Sequence, residues 1–140
     1  MMLKISALAL ALIVLVACGN ATPTTPAPSG ARFDPVSNSG GSVTVDAQLL
    51  DFQTNQPLVF EVVINTHSVE LVDDLTRSAI LRDDAGKEYA PIAWEGAGPG
   101  GHHREGKLKF AAFKTKPKFV ELVVKNLAQV SERAFRWELK

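Results

Sequence analysis

Apolar and polar residues alternate along most of the chain after residue 42. A period of two is typical of β-strands that have one buried and one solvated face. Val43, Val45, Ala47 and Leu49, for example, alternate with polar residues. Strand-like patterns occupy the segments 43–49, 58–65, 79–82, 88–94, 107–110, 120–125 and 135–139. The pattern therefore predicts about seven short strands.

Turn residues separate these segments, and no stretch has the length and period of a long helix. The run Asp83 to Lys87 contains Gly86 and predicts a hairpin turn. Residues 71–78 predict one helical turn or an irregular crossing between sheets. Together these features predict an all-β domain over residues 42–140, an immunoglobulin-like antiparallel β-sandwich. The lysine-rich segment 106–113 is expected at a sheet edge, because lysine discourages pairing between edges.

The N-terminal segment has the organisation of a signal peptide. Lys4 precedes an apolar run over residues 5–17, and a helix of that length reaches only about 20 Å. This is shorter than the hydrocarbon core of about 30 Å, so the run predicts a cleaved signal peptide over residues 1–17. Cys18 follows this run directly. In the simplest interpretation it is an incidental cysteine after an ordinary signal peptide.

The run ends in Leu15-Val16-Ala17-Cys18, which resembles the lipobox of bacterial lipoproteins. The resemblance implies cleavage before Cys18 and acylation of its thiol and its new amine. More than one acyl chain holds a protein stably at a membrane. We therefore expect an exported protein that is anchored by lipid at Cys18 and faces away from the cytoplasm.

Residues 18–41 follow as a segment rich in Pro, Thr, Ser and Gly without apolar periodicity. Such a composition cannot bury enough surface to offset the entropy of ordering. It predicts a spacer that holds the domain away from the membrane. Phe33 is a candidate to dock on the domain.

Composition removes some classes of function. The 140 residues carry 15 basic and 15 acidic side chains, which argues against a nucleic-acid partner. Cys18 is the single cysteine, so the domain is expected to fold without a disulfide.

Three histidines define a candidate metal site. His102 and His103 end a glycine-rich loop, and His67 follows the second predicted strand. Imidazole nitrogen suits zinc or copper, and Glu95 or Glu105 are candidate additional ligands. The alternative is structural: glycine loops often only connect strands, and the histidines cap backbone groups or pack on an aromatic ring. No certain cofactor follows from the sequence.

A further hypothesis is that the same loop binds an anion. The backbone N–H groups of residues 98–101 would converge on an anion, and Arg104 and a histidine would supply positive charge. Enzymatic patterns are lacking, because the sequence has no Gly-x-Ser-x-Gly elbow and its paired aspartates are sequence neighbours. We expect a protein that is not an enzyme.

Several short motifs across residues 43–139 resemble those of uncharacterised secreted or lipid-anchored β-sandwich proteins of bacteria and archaea. They are Asn65-Thr66-His67-Ser68-Val69-Glu70-Leu71, Leu81-Arg82-Asp83-Asp84-Ala85-Gly86-Lys87-Glu88-Tyr89, Trp94-Glu95-Gly96 and Gly100-Gly101-His102-His103-Arg104. The resemblance implies a sandwich fold and directs attention to the histidines, but it implies no activity.

Three hypotheses of function follow. The first is a non-enzymatic envelope module that binds a protein or a small ligand. The second is a metal-binding envelope protein that uses His102, His103 and His67. The third is a purely structural lipoprotein domain.

Overall fold

The computed structural model describes residues 33–140. Residues 1–32 lie outside the described part, and with them the predicted signal peptide, Cys18 and most of the predicted spacer. The described part folds into nine strands and one short helix. In chain order they are β1 (Val36–Gly40), β2 (Val43–Leu49), β3 (Leu58–Thr66), α1 (Leu75–Ser78), β4 (Ala79–Asp83), β5 (Glu88–Tyr89), β6 (Ala93–Gly96), β7 (His103–Phe110), β8 (Phe119–Leu127) and β9 (Val130–Glu138).

The strands form two antiparallel sheets that pack face to face. One sheet has the order β1-β2-β3-β7-β6, and the other has the order β5-β4-β8-β9. When β1 and β5 are set aside, these orders match the ABED and CFG sheets of an immunoglobulin constant domain. The predicted all-β sandwich is therefore confirmed.

Nine strands replace the seven predicted, for two reasons. The segment 88–94 divides into β5 and β6, which belong to different sheets. Pro91 lies between them, and a proline cannot donate a ladder hydrogen bond. The additional strand β1 lies inside the segment predicted as spacer, so the sandwich begins before residue 42. Because β1 is an edge strand rich in Ser and Gly, its alternation was not visible in the sequence.

The expected edge position of the lysine-rich strand is wrong. β7 lies inside the larger sheet, between β3 and β6. Its lysines are accommodated because Lys107 and Lys109 point away from the core, while Leu108 and Phe110 are fully buried. Lys109 forms an ion pair of 2.7 Å with Glu95 of the neighbouring strand.

The core fills the space between the sheets with alternate residues of each strand. Phe60 lies at its centre, 5.6 Å from the ring of Phe110 and 5.4 Å from that of Trp137. Such aromatic pairs add stabilisation beyond their buried area. Phe33 packs against this core, as predicted. Both sheets and the buried core that the structure describes lie within residues 33–140, so we expect this part of the chain to fold on its own.

The helix α1 is four residues long and connects the two sheets. Asp74 caps it by accepting a hydrogen bond of 2.9 Å from the Thr76 N–H. Within residues 33–140, no helix has the length and apolarity needed to cross a membrane.

The two ends of the sandwich carry different connections. We call one end the lysine pole; it consists of the turns 50–57, 84–87 and 111–118, together with Phe33 and the C-terminal Lys140. We call the other end the histidine pole; it consists of residues 41–42, 67–74, 97–102 and 128–129. β1 runs from the lysine pole to the histidine pole.

Near the histidine pole, Arg133 of β9 joins the edges of the two sheets. Its side chain is fully buried and donates to the carbonyl oxygens of Gly40 (2.7 Å) and Asn38 (3.3 Å) on β1. It donates more weakly to the carbonyls of Val43 and Leu127, at 3.4 and 3.5 Å. Burial lowers the pKa of Arg133, and Arg133 forms no ion pair with a described carboxylate.

We expect Arg133→Met to lower the free energy of unfolding by about 2 kcal/mol. The substitution keeps most of the volume but removes the donor of the partly buried carbonyls of β1 and of the buried carbonyls of Val43 and Leu127. Each unsatisfied buried group costs about 1–3 kcal/mol. Urea denaturation followed by circular dichroism measures the change.

The matched control is Arg136→Met on the same strand. Arg136 is half exposed and contacts Glu138 and the ring of Phe119, so its loss is expected to cost less than about 1 kcal/mol. Equal stabilities of the Arg133→Met variant and the parent would contradict the role given to Arg133.

Candidate functional site

The last residues of the glycine-rich loop, 100–102, are hydrogen-bonded to the end of β3 and to the segment that follows it. The Thr66 N–H donates to His102 O at 2.9 Å, and the Leu71 N–H donates to Gly101 O at 3.0 Å. In return the Gly100 N–H donates to Leu71 O at 2.7 Å. Residues 100–102 therefore continue the pairing of β3 with β7 beyond the strands.

Two glycines allow the backbone of the loop to adopt this conformation. Gly100 has a φ of 120° and Gly101 has a φ of 72°, and both values disfavour residues with a side chain. The Gly101 N–H donates to Glu70 Oε1 at 2.8 Å. Because the N–H groups of Gly100 and Gly101 are engaged by acceptors of the protein, they are not free to bind an anion.

Glu70 is a residue of this site that the sequence interpretation did not select. Besides accepting from Gly101, its carboxylate lies 3.9 Å from His102 Nε2. The carboxylate thus joins the two loops of the histidine pole. No sequence pattern indicated this, because the residues lie 31 positions apart and only the β3–β7 pairing brings them together.

His103 is the first residue of β7 and points away from the core. Its Nδ1 lies 2.5 Å from Asn65 Oδ1 on β3, and its Nε2 lies 3.5 Å from Glu105 Oε2. His103 and Glu105 share the outer face of the sheet, and Arg104 between them points inward.

His67 lies on the exposed turn after β3. The turn is shaped by Thr66, whose hydroxyl donates to Ser42 O at 2.7 Å and accepts from the N–H groups of Ser68 and Val69 at 3.2 Å. The role of Thr66 is therefore structural, and the imidazole of His67 faces solvent.

The predicted metal ligands do not form one site in the described part of the chain. His102 contacts Glu70, His103 contacts Asn65 and Glu105, and Glu95 pairs with Lys109 instead. Among residues 33–140, no three His, Cys, Asp or Glu side chains are arranged to hold a metal ion. The arrangement does not favour the metal hypothesis.

Arg104, the predicted anion contact, is buried and binds backbone carbonyls. Its guanidinium donates to Asp73 O at 2.6 Å, to Leu71 O at 3.4 Å and to Ala97 O at 3.3 Å. Burial lowers the pKa of Arg104, and the nearby charges of Asp73 and Asp74 oppose this effect. The side chain holds the segments 67–74 and 97–102 together, and its donors do not reach the surface where an anion would bind.

Trp94 completes the packing beneath the loop. Its indole N–H donates to Ala97 O at 2.8 Å, the carbonyl that Arg104 also binds. The ring lies over Gly96 and Gly106, which face each other across β6 and β7. A Cβ atom on Gly106 would come within 2.6 Å of Gly96 Cα and within 2.8 Å of the indole. These glycines are thus required by close backbone approach.

We expect Gly106→Ala to lower the free energy of unfolding by about 2 kcal/mol or more, because backbone and indole must both move to admit the methyl group. Gly98→Ala is the matched control. A Cβ atom on Gly98 meets nothing within 4 Å, so its stability should change by less than about 1 kcal/mol. Urea denaturation of both variants compares them, and equal losses would contradict the packing argument.

The hairpin turn predicted around Gly86 is confirmed, and Asp83 organises it. Its buried carboxylate accepts from the N–H groups of Ala85 (3.0 Å) and Lys87 (2.9 Å), and from the Tyr89 hydroxyl (2.8 Å). Burial acts to raise the pKa of Asp83, but these hydrogen bonds outweigh it and the pKa is lowered. Burial, followed by the hydrogen bond to Asp83, raises the pKa of Tyr89 to about 12.

We expect the single tyrosine of the chain to ionise near pH 12 rather than at its ordinary value of 10.0. Because the pKa is raised by folding, the stabilisation is complete below pH 10 and is lost as the pH rises through about 12. Tyrosinate ultraviolet absorbance after a rapid pH jump measures the midpoint.

In the Asp83→Asn variant the midpoint should fall toward 10.0 but stay above it, since burial is the larger cause of the shift. A midpoint of 10.0 in the unsubstituted protein would show that Tyr89 is not held as described.

The motifs that carry the resemblance thus place their residues mainly in structural roles. Thr66, Asp83, Trp94 and Arg104 shape turns and loops, while the histidines remain at the surface. Comparison with protein-family models, with curated proteins and with solved structures finds no match to the chain. The resemblance to secreted or lipid-anchored proteins stays a prediction.

Proposed function

We propose that the protein is a lipid-anchored module of the cell envelope, which binds a partner protein through its histidine pole and is not an enzyme. One observation carries this proposal. The chain enters the sandwich at Phe33 on the lysine pole, whereas His67, His102 and His103 lie at the opposite end. A spacer attached at Phe33 would therefore direct the histidine pole away from the membrane.

The anchor is supported by the sequence before the described part. An apolar run too short to span a bilayer ends in Leu15-Val16-Ala17-Cys18. Acylation at Cys18 would leave residues 19–32 between the lipid and Phe33. The predicted function depends on this order of anchor, spacer and sandwich.

The surface of the histidine pole supports a protein partner over an enclosed small ligand. His102 and Glu70 expose more than half of their side chains, at 54% and 62%, and Val72 is 65% exposed. Beside them an open groove of about 460 Å³ runs between Arg77 and Asn126. Small-molecule sites usually enclose most of their ligand, whereas an open mixed surface suits a protein contact.

A binding role without catalysis is supported by how the polar groups of this pole are used. The Arg104 guanidinium and the Gly100 N–H bind backbone carbonyls, and the Gly101 N–H binds Glu70. These groups hold a rigid shape and leave side chains exposed on it. Rigid presentation of surface side chains lowers the entropic cost of association.

Mass spectrometry of the protein from its native host tests the anchor. We expect an N-terminal Cys18 that carries acyl mass, and we expect Cys18→Ser to leave the membrane fraction. Retention of Met1 without any acyl mass would refute the anchored location.

Site-specific photo-crosslinking in the same host tests the binding surface. A crosslinking residue at His102 should give a discrete adduct with one partner, whereas the same residue at exposed Ala134, on the outer face of β9, should not. Equal adducts at both positions, or adducts at neither, would contradict binding through the histidine pole.

A further inference from the structure

The connection between β7 and β8 carries a concentrated positive charge. Lys114, Lys116 and Lys118 fall within five residues, all are exposed, and the connection 111–118 contains no acidic residue. Two other lysines form ion pairs with described carboxylates, but none of these three does. The Lys116 ammonium donates to the backbone oxygen of Lys140 on the same pole. The ammonium groups of Lys114 and Lys118 are exposed and available to an external anion.

Contacts place this connection on the pole where the chain enters. The Asn55 N–H donates to Phe113 O at 2.8 Å, and the Leu139 N–H donates to Lys118 O at 2.8 Å. Phe33 lies at the same end, where its N–H donates to Leu49 O. The three lysines and the start of the described chain thus lie at the same end of the sandwich, the lysine pole.

Aspartates of the lysine pole reduce its net positive charge, but none of them lies in the connection 111–118. Asp83 is buried and accepts three hydrogen bonds, and Asp51 accepts from the Phe52 N–H and from Gln53. Asp34 and Asp84 are exposed, but both lie outside the lysine connection. Residues 114–118 themselves thus carry three positive charges and no negative side chain.

We propose that the connection 114–118 contacts the anionic lipid headgroups of the leaflet that holds the anchor. The proposal rests on the proposed function for the presence of that membrane. Two observations favour a lipid surface as the partner: its charge is opposite to that of the lysines, and the lysines lie on the same pole as Phe33. Residues 19–32 span at most about 50 Å in any conformation, so they allow the pole to reach the headgroups.

The expected strength is modest. A lysine close to an anionic membrane strengthens binding about fivefold, so three lysines together give about a hundredfold. Charge screening shortens the interaction to about 10 Å at 0.1 M salt, so binding must weaken as salt is added. The connection therefore orients an anchored protein and does not replace the lipid.

Vesicle co-sedimentation of residues 33–140 tests the inference without any lipid on the protein. We expect binding to vesicles that contain phosphatidylglycerol, little binding to pure phosphatidylcholine, and loss of binding with added salt. The variant with Lys114→Gln, Lys116→Gln and Lys118→Gln should bind about a hundredfold more weakly.

The matched control carries Lys107→Gln, Lys125→Gln and Arg77→Gln, which changes the net charge equally at positions away from the pole. If both triple variants lose binding equally, or neither does, the proposal is overturned. Binding to soluble polyphosphate but not to the anionic vesicles would also overturn it. Since this protein lacks residue 18, failure here leaves the anchor and the histidine pole to their own tests.

Discussion

Buried and partly buried backbone carbonyls at the histidine pole must find donors, and two buried arginines supply them. At the end of a sandwich the strands stop and the ladder no longer satisfies every carbonyl, yet a buried polar group without a partner is costly. Arg133 reaches the carbonyls of Asn38 and Gly40, and Arg104 reaches those of Asp73 and Ala97. A guanidinium suits this task because it presents five N–H groups in one plane and stays charged. Arg133 holds the two sheet edges together, and Arg104 holds the two loops together.

The surface of the pole follows from this interior. With Arg104 pointing inward, its neighbours on β7 point outward, which places His103 and Glu105 on the outer face of the sheet. With Gly100 and Gly101 bonded to Leu71 and Glu70, the loop brings His102 beside the Glu70 carboxylate. The residues that the sequence offers as metal ligands or anion contacts therefore shape and cover the surface of this pole. That is why the proposed function is recognition by surface side chains rather than binding in a pocket.

The poles differ in charge and in their connection to the rest of the chain. This difference distinguishes the end that faces the proposed anchor from the end that faces away from it. The lysine pole receives the chain at Phe33 and carries exposed lysines, whereas the histidine pole carries the loops held by the arginines. β1 links the two, because it starts beside the first and ends at the carbonyls bound by Arg133. A protein held near a membrane at one pole would present the other to its surroundings, which agrees with the proposed order of anchor, spacer and sandwich.

The sequence by itself determined the class of fold and the turn around Gly86, because these depend on local period and turn chemistry. It left residues 71–78 as one helical turn or an irregular crossing, and it named Phe33 only as a candidate to dock. The structure shows the helical turn α1 and packs Phe33 against the core. The organisation of residues 1–32 stays a prediction from sequence. Only the tertiary structure decided the strand positions and side-chain partners that depend on pairing between segments distant in sequence. It placed β7 inside its sheet, recruited β1 from the predicted spacer, and separated the histidines onto different partners. It also turned Arg104 inward. Period alone cannot show whether a charged residue meets solvent or buried carbonyls, because that depends on segments more than thirty positions away in the chain.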